Sequence, residues 1–159
     1  MKSPDLSWHA LLSNEILWLA FSAWCLSALL KFLITLVVDK KLILERLIGS
    51  GGMPSTHTAP VVALTTAVVL VYGFDHPYFA FGLFLSFLVI YDAANFRQEA
   101  GKHAEAINKL FEELVSGDGI KQESWNRMTE LLGHTPAEII VGGILGFLVA
   151  LVGHHLWTS

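Results

Sequence analysis

Charge, sulfur and basic clusters are all scarce in this 159-residue chain. Asp, Glu, Lys and Arg make up 15% of it, where a soluble domain carries about a quarter. The single cysteine, Cys25, lies inside an apolar run, which excludes a disulfide framework and a cysteine metal site. A net charge of -4, with no basic patch interleaved with aromatics, argues against a nucleic-acid partner. Near the N-terminus only Lys2 is basic, and the first apolar run is too long for a signal core, so no cleavable leader is expected. What is abundant is hydrophobicity: 53% of residues, with a mean hydropathy of +0.55. The length suits one domain, and residues 1–159 read as a single membrane domain.

Four apolar runs give spans at about 16–38, 57–74, 78–95 and 138–157. The first, twenty-three residues broken by one charge at Lys31, rises about 34 Å as a helix, enough to cross a hydrocarbon core with some tilt. The second and third runs are shorter, and each needs an extra turn from its polar flank. They read either as two crossings or as a re-entrant pair. A polar helical segment, 97–133, separates the third and fourth. In it Ala100, Ala104, Ile107, Phe111 and Leu114 follow three-four spacing, ending at Gly117-Asp118-Gly119. Trp125, Met128, Leu131 and Leu132 suggest a second, shorter amphipathic helix. The expected fold is therefore all-α: an integral membrane bundle of about four transmembrane helices plus one or two cytoplasmic amphipathic helices.

Four crossings put residues 39–56 and 95–137 on one side. That side holds Lys40, Lys41, Arg46, Arg97, Lys102, Lys109, Lys121 and Arg127, eight of the ten basic residues. The positive-inside rule makes it cytoplasmic, in a plasma (inner) membrane whose polar loops face the cytoplasm.

Three polar motifs share that side. Gly51-Gly52-Met53-Pro54-Ser55-Thr56-His57 precedes the second span: glycines and free N–H groups suit an anion, although a Ser/Thr-capped loop has the same look. Asp92, Asn95 and Arg97 stand where the third span leaves the membrane, as functional groups or as a helix end reaching water. In Gly133-His134-Thr135-Pro136-Ala137-Glu138, Thr135, Pro136 and Glu138 form a capping box. The same spacing sets Glu138 four residues from His134, where a carboxylate can hold an imidazole in one tautomer. Lys31, eight residues before Asp39, either snorkels to the surface or faces the bundle as a cation awaiting an anion. His9, His76, His154 and His155 carry no assigned role, and Gly142, Gly143 and Gly146 form a small-residue packing face.

Gly-Gly-Met-Pro-Ser-Thr-His at 51–57, Tyr-Asp-Ala at 91–93 with Arg97 and Ala-Gly-Lys at 100–102, and Leu-Gly-His-Thr-Pro-x-Glu at 132–138 resemble the divergent phosphatidic acid phosphatase family. That family is related to acid phosphatases and vanadium-dependent haloperoxidases, and the resemblance covers about residues 13–153. Pro54-Ser55-Thr56-His57 stands where the wider superfamily has P-S-G-H, and His134-x3-Glu138 where it has H-x3-D. Arg127 lies seven residues before His134 rather than the six of the superfamily pattern.

The resemblance implies a lipid phosphate phosphatase needing no metal or other cofactor. Its substrate would be a membrane lipid phosphate, such as phosphatidic acid, phosphatidylglycerol phosphate or an isoprenyl (pyro)phosphate. His134, oriented by Glu138, would be the nucleophile and His57 the acid. Lys31, Arg97, Lys102, Gly51, Gly52 and Ser55 would surround the phosphate, with Asp92 and Asn95 in support. One phosphate between the two histidines sets their ring nitrogens about 5–7 Å apart. The partners are then the lipid substrate and the bilayer, with a homodimer as a further expectation. The alternative is a non-enzymatic anionic-lipid binder or small transporter using the same cationic pocket, and a third reading is a packing subunit of a larger complex.

Overall fold

The computed structural model describes residues 6–39, 52–118, 128 and 133–159. The second amphipathic helix expected around Trp125–Leu132 lies outside them, apart from Met128. Every regular element described is helical: α1 (Trp8–Leu12), α2 (Glu15–Asp39), α3 (Thr58–Tyr72), α4 (Pro77–Tyr91), a π-helical turn (Asp92–Phe96), α5 (Arg97–Asp118) and α6 (Pro136–Thr158). Large apolar side chains cover the outside of the bundle, among them Phe81, Phe84, Phe87, Ile140, Ile144 and Val152. Its centre is small and partly polar: Ala23, Ala63 and Ala150 are fully buried. This inversion suits a lipid solvent, in which tight backbone approach and not apolar burial drives helix association. The chain is an all-α membrane protein.

Local chemistry sets the helix ends. Ser7 caps α1 by accepting the Ala10 N–H at 3.2 Å, and Asn14 accepts the Leu17 N–H at 3.1 Å at the start of α2. Gly73, at φ +89°, stops α3, and His76 followed by Pro77 starts α4. Thr135, Pro136 and Glu138 open α6 with the expected capping box.

Among the described residues, three helical stretches are long and apolar enough to cross a membrane: Glu15–Val37, Pro77–Glu113 and Pro136–Thr158. The 15-residue α3 is shorter, but its register reaches far into the bundle. Gly142 meets Ser55, Gly146 meets Ala59, and Ala150 packs with Ala63, so α3 and α6 run parallel in four-residue steps. One more step brings buried Ala67 level with His154, which pairs with Glu15 at the start of α2 (2.6 Å). That pair gives His154 the role the sequence left open. Between α3 and α4, the Thr65 and Ser86 hydroxyls lie 2.9 Å apart, and both are within hydrogen-bond reach of the Val61 carbonyl, at 2.8 and 3.1 Å.

Gly142 and Gly146 are where α6 touches α3 most closely. A Cβ on Gly142 would stand 2.8 Å from the Ser55 carbonyl oxygen, and one on Gly146 would collide with the Ala59 carbonyl. Gly143 has nothing nearer than 3.8 Å. Gly146→Val is therefore expected to cost about 1–3 kcal/mol of stability or more. Gly143→Ala should be neutral or stabilise by up to about 1 kcal/mol through helix propensity. Thermal unfolding of the two variants in detergent checks the contrast.

Nothing in Asp92–Phe96 breaks a helix, and α4 continues through the π turn into α5 with no loop between span and polar segment. One expectation is corrected. The buried face of α5 is Gly101, Ala104 and Asn108, with Phe111 half-buried, whereas Ala100 and Ile107 are exposed. Asn108 sets that face: its carboxamide donates to the Met128 carbonyl at 2.9 Å and accepts the Met128 N–H at 3.0 Å.

Candidate active site

The end of the bundle where α3 and α6 begin and α4 ends gathers most of the expected groups. His134 precedes α6, outside any helix, and its side chain is fully buried. Glu138 Oε2 accepts the Thr135 N–H at 3.0 Å and lies 3.0 Å from His134 Nδ1. An ionised carboxylate only accepts, so a proton sits on His134 Nδ1, and in the neutral ring Nε2 is the bare nitrogen. One carboxylate thus serves both the capping box and the imidazole.

The bare Nε2 of His134 faces His57 Nδ1 at 3.2 Å, with the ring centroids 5.4 Å apart and the planes at 62°. With the His134 ring neutral, Nε2 accepts and His57 Nδ1 is the donor of this bond. The separation is shorter than the 5–7 Å expected for a phosphate between the rings, because the two imidazoles bond each other directly. A phosphoryl group can reach Nε2 only if the His57 ring swings aside. His57 stands at the first turn of α3 and makes no side-chain cap bond there.

Lys31 does not snorkel. It is 1% exposed and faces the bundle interior on the same stripe of α2 as buried Ser27 and Thr35. Its stem lies against the loop: a Cβ on Gly52 would stand 3.3 Å from Lys31 Cε and 3.7 Å from Cγ. Gly52 also sits at φ +88°, so a side chain there is both crowded and strained.

Ser55 is fully buried and occupied. Its Oγ accepts the N–H of Thr58 at 3.2 Å and the Thr58 hydroxyl at 3.0 Å, so it caps α3. Its backbone N–H donates to the Glu138 carbonyl at 3.1 Å and ties the loop to α6. Only its own hydroxyl proton remains to offer an anion.

The remaining expected residues separate. Lys102 is not among the gathered groups: it pairs with Glu99 at 2.6 Å on the solvated face of α5, its side chain 61% exposed. Their three-residue spacing was visible in the sequence and is the signal for this pairing. Asn95 is exposed and donates to the Tyr91 carbonyl at 3.1 Å. Asp92 is half-buried at the end of α4. Gly51 and the Arg97 side chain lie outside the described residues. Among the described residues no three His, Cys, Asp or Glu side chains cluster as metal ligands. One contact had no sequence signal: the His134 backbone N–H donates to the Ala93 carbonyl at 3.0 Å.

The arrangement is an oriented, bare imidazole nitrogen beside a proton-bearing one, with a buried cation against the neighbouring loop. The chain is 35% identical over 150 residues to the uncharacterized membrane protein YuiD of Bacillus subtilis (strain 168), covering 89% of this chain and 95% of YuiD. No solved structure matches it. Residues 12–149 match the Divergent PAP2 family, and the chain belongs to that family.

Proposed function

We propose that the protein is a membrane lipid phosphate phosphatase that works through a phosphohistidine on His134. The observation that carries this reading is the relay from Glu138 through His134 Nδ1 and Nε2 to His57. In the first step the Nε2 lone pair of His134 forms a bond to phosphorus as the P–O bond to the lipid breaks. The departing electron pair stays on the lipid oxygen, which takes the proton carried by His57. In the second step water attacks phosphorus and gives its proton to His57. The P–N bond breaks, its electrons return to Nε2, and inorganic phosphate leaves. Lys31 and the Gly52 loop stabilise the charge gathering on the non-bridging oxygens. None of these steps needs a metal ion.

Four crossings would put eight of the ten basic residues on the side of the site, which favours a cytoplasmic-facing site in the plasma membrane. Phosphatidic acid and phosphatidylglycerol phosphate then become the favoured substrates. Phosphate release from a panel of lipid phosphates by the purified protein in detergent, with and without chelator, tests the reading. Turnover that survives the chelator is expected. No turnover across the panel contradicts the enzyme, and loss of activity with chelator contradicts the metal-independent mechanism.

The two histidines act in opposite protonation states, so kcat/KM should trace a bell against pH. At low pH a proton on His134 Nε2 removes the nucleophile. At high pH His57 loses the proton it must deliver. His57→Ala should abolish the alkaline limb and leave the acid limb in place, as steady-state rates across pH 4–10 would show.

The second reading, a binder or transporter of anionic lipids, rests on buried Lys31 against Gly52. It needs that cation and has no use for the His134 nitrogen.

A further inference from the structure

The turn joining α4 to α5, Asp-Ala-Ala-Asn-Phe at 92–96, is π-helical. Its composition does not ask for this: it holds neither Gly nor Pro, and its two alanines favour an ordinary α-helix. Single π turns inside α-helices are rare and concentrate at functional sites. In the π register each N–H reaches back five residues instead of four. Returning to the α register therefore skips one carbonyl, which must find a partner elsewhere.

The Ala93 carbonyl lies inside the turn, on a residue 1% exposed, and accepts the His134 backbone N–H at 3.0 Å. Asn95 steadies the same turn by donating its carboxamide to the Tyr91 carbonyl. On the other side of the bond, Gly133 at φ +93° turns the chain just before His134. His134 has no helical pairing of its own to fix its backbone. Glu138 orients the ring and the Ala93 carbonyl holds the main chain beneath it.

We propose that the π turn is a positioning device for His134, keeping the Ala93 carbonyl available so that Nε2 points at His57. The catalytic consequence rests on His134 being the nucleophile; the orientation of the ring does not. A misplacement of about 1 Å can cost roughly 100-fold in rate, so the device matters more to turnover than to folding.

Two variants test it from opposite sides of the bond. Deleting Ala94 returns the turn to α register and rotates α5, while the main helix packing, among α2, α3, α4 and α6, is left in place. Gly133→Ala forces a side chain into a left-handed conformation and turns the His134 N–H away. The first measurement is the ring nitrogen spectrum of 15N-histidine-labelled protein in micelles, with His134 assigned by His134→Ala. The intact protein should show one His134 tautomer, protonated on Nδ1, and both variants a mixture. The second is kinetic: kcat should fall about 10- to 100-fold with KM within about threefold.

If the deletion does not fold, Gly133→Ala alone decides. An unchanged His134 tautomer in every variant that folds overturns the proposal. A changed tautomer in a protein whose intact form releases no phosphate upholds the positioning role and contradicts the phosphatase reading. Normal turnover with an unchanged tautomer does the reverse.

Discussion

Replacing His134 by alanine is expected to lower phosphate release at least about 10³-fold, because it removes the nitrogen proposed to form the covalent intermediate. Glu138 fixes the proton of His134 on Nδ1, so Nε2 is the nitrogen that attacks. His57→Ala should behave differently. Loss of a general acid costs about 10²–10⁴-fold when the leaving group is a lipid alkoxide. An aryl phosphate, whose leaving group departs without help, should lose far less. Rates of both variants on a lipid phosphate and on an aryl phosphate separate the two roles. An equal loss on the two substrates in His57→Ala would remove the acid assignment. A His134→Ala variant with near-normal turnover would remove the nucleophile.

The second large effect is expected at Lys31. Lys31→Met keeps the stem that packs on Gly52 and deletes the charge. Losing one charge from a buried, hydrogen-bonded charge pair costs about 2–5 kcal/mol, or roughly 30- to 4,000-fold in affinity. Competition by inorganic phosphate or vanadate should weaken by that factor, with a matching fall in kcat/KM. The two substitutions together discriminate between the readings. An enzyme loses turnover with either; a lipid binder loses affinity in Lys31→Met and keeps its full affinity in His134→Ala. A packing subunit loses neither.

What could be read in the sequence was local or periodic. The capping box and the His134–Glu138 pair depend on three- and four-residue spacings within one helix start, which sequence states directly. Gly142 and Gly146 of the small-residue face were legible for the same reason, whereas Gly143 makes no close approach to α3 and the partners Ser55 and Ala59 gave no signal. Lys31 was ambiguous because spacing does not say which side of a helix meets protein and which meets lipid. His154 and Glu15 are 139 residues apart, so no local rule could join them. Lys102, which the family motif puts beside the phosphate, pairs with Glu99 in the structure, a contact that their three-residue spacing states directly. The buried face of α5 shifted because a polar Asn108, clamping the Met128 backbone, took a position that hydrophobic periodicity reserves for apolar residues. The Ala93–His134 bond arises from a change of helical register, and the alanines of that turn give no sign of it.

The central claim is that His134 Nε2 bonds to phosphorus during turnover, and rapid quenching of the protein with a lipid phosphate tests it most directly. Mass analysis under alkaline conditions, which preserve phosphoramidates, should find one phosphoryl group on the peptide carrying His134. It should be absent from His134→Ala and should accumulate in His57→Ala supplied with an aryl phosphate. Full turnover by the intact protein with His134 never labelled would contradict the account.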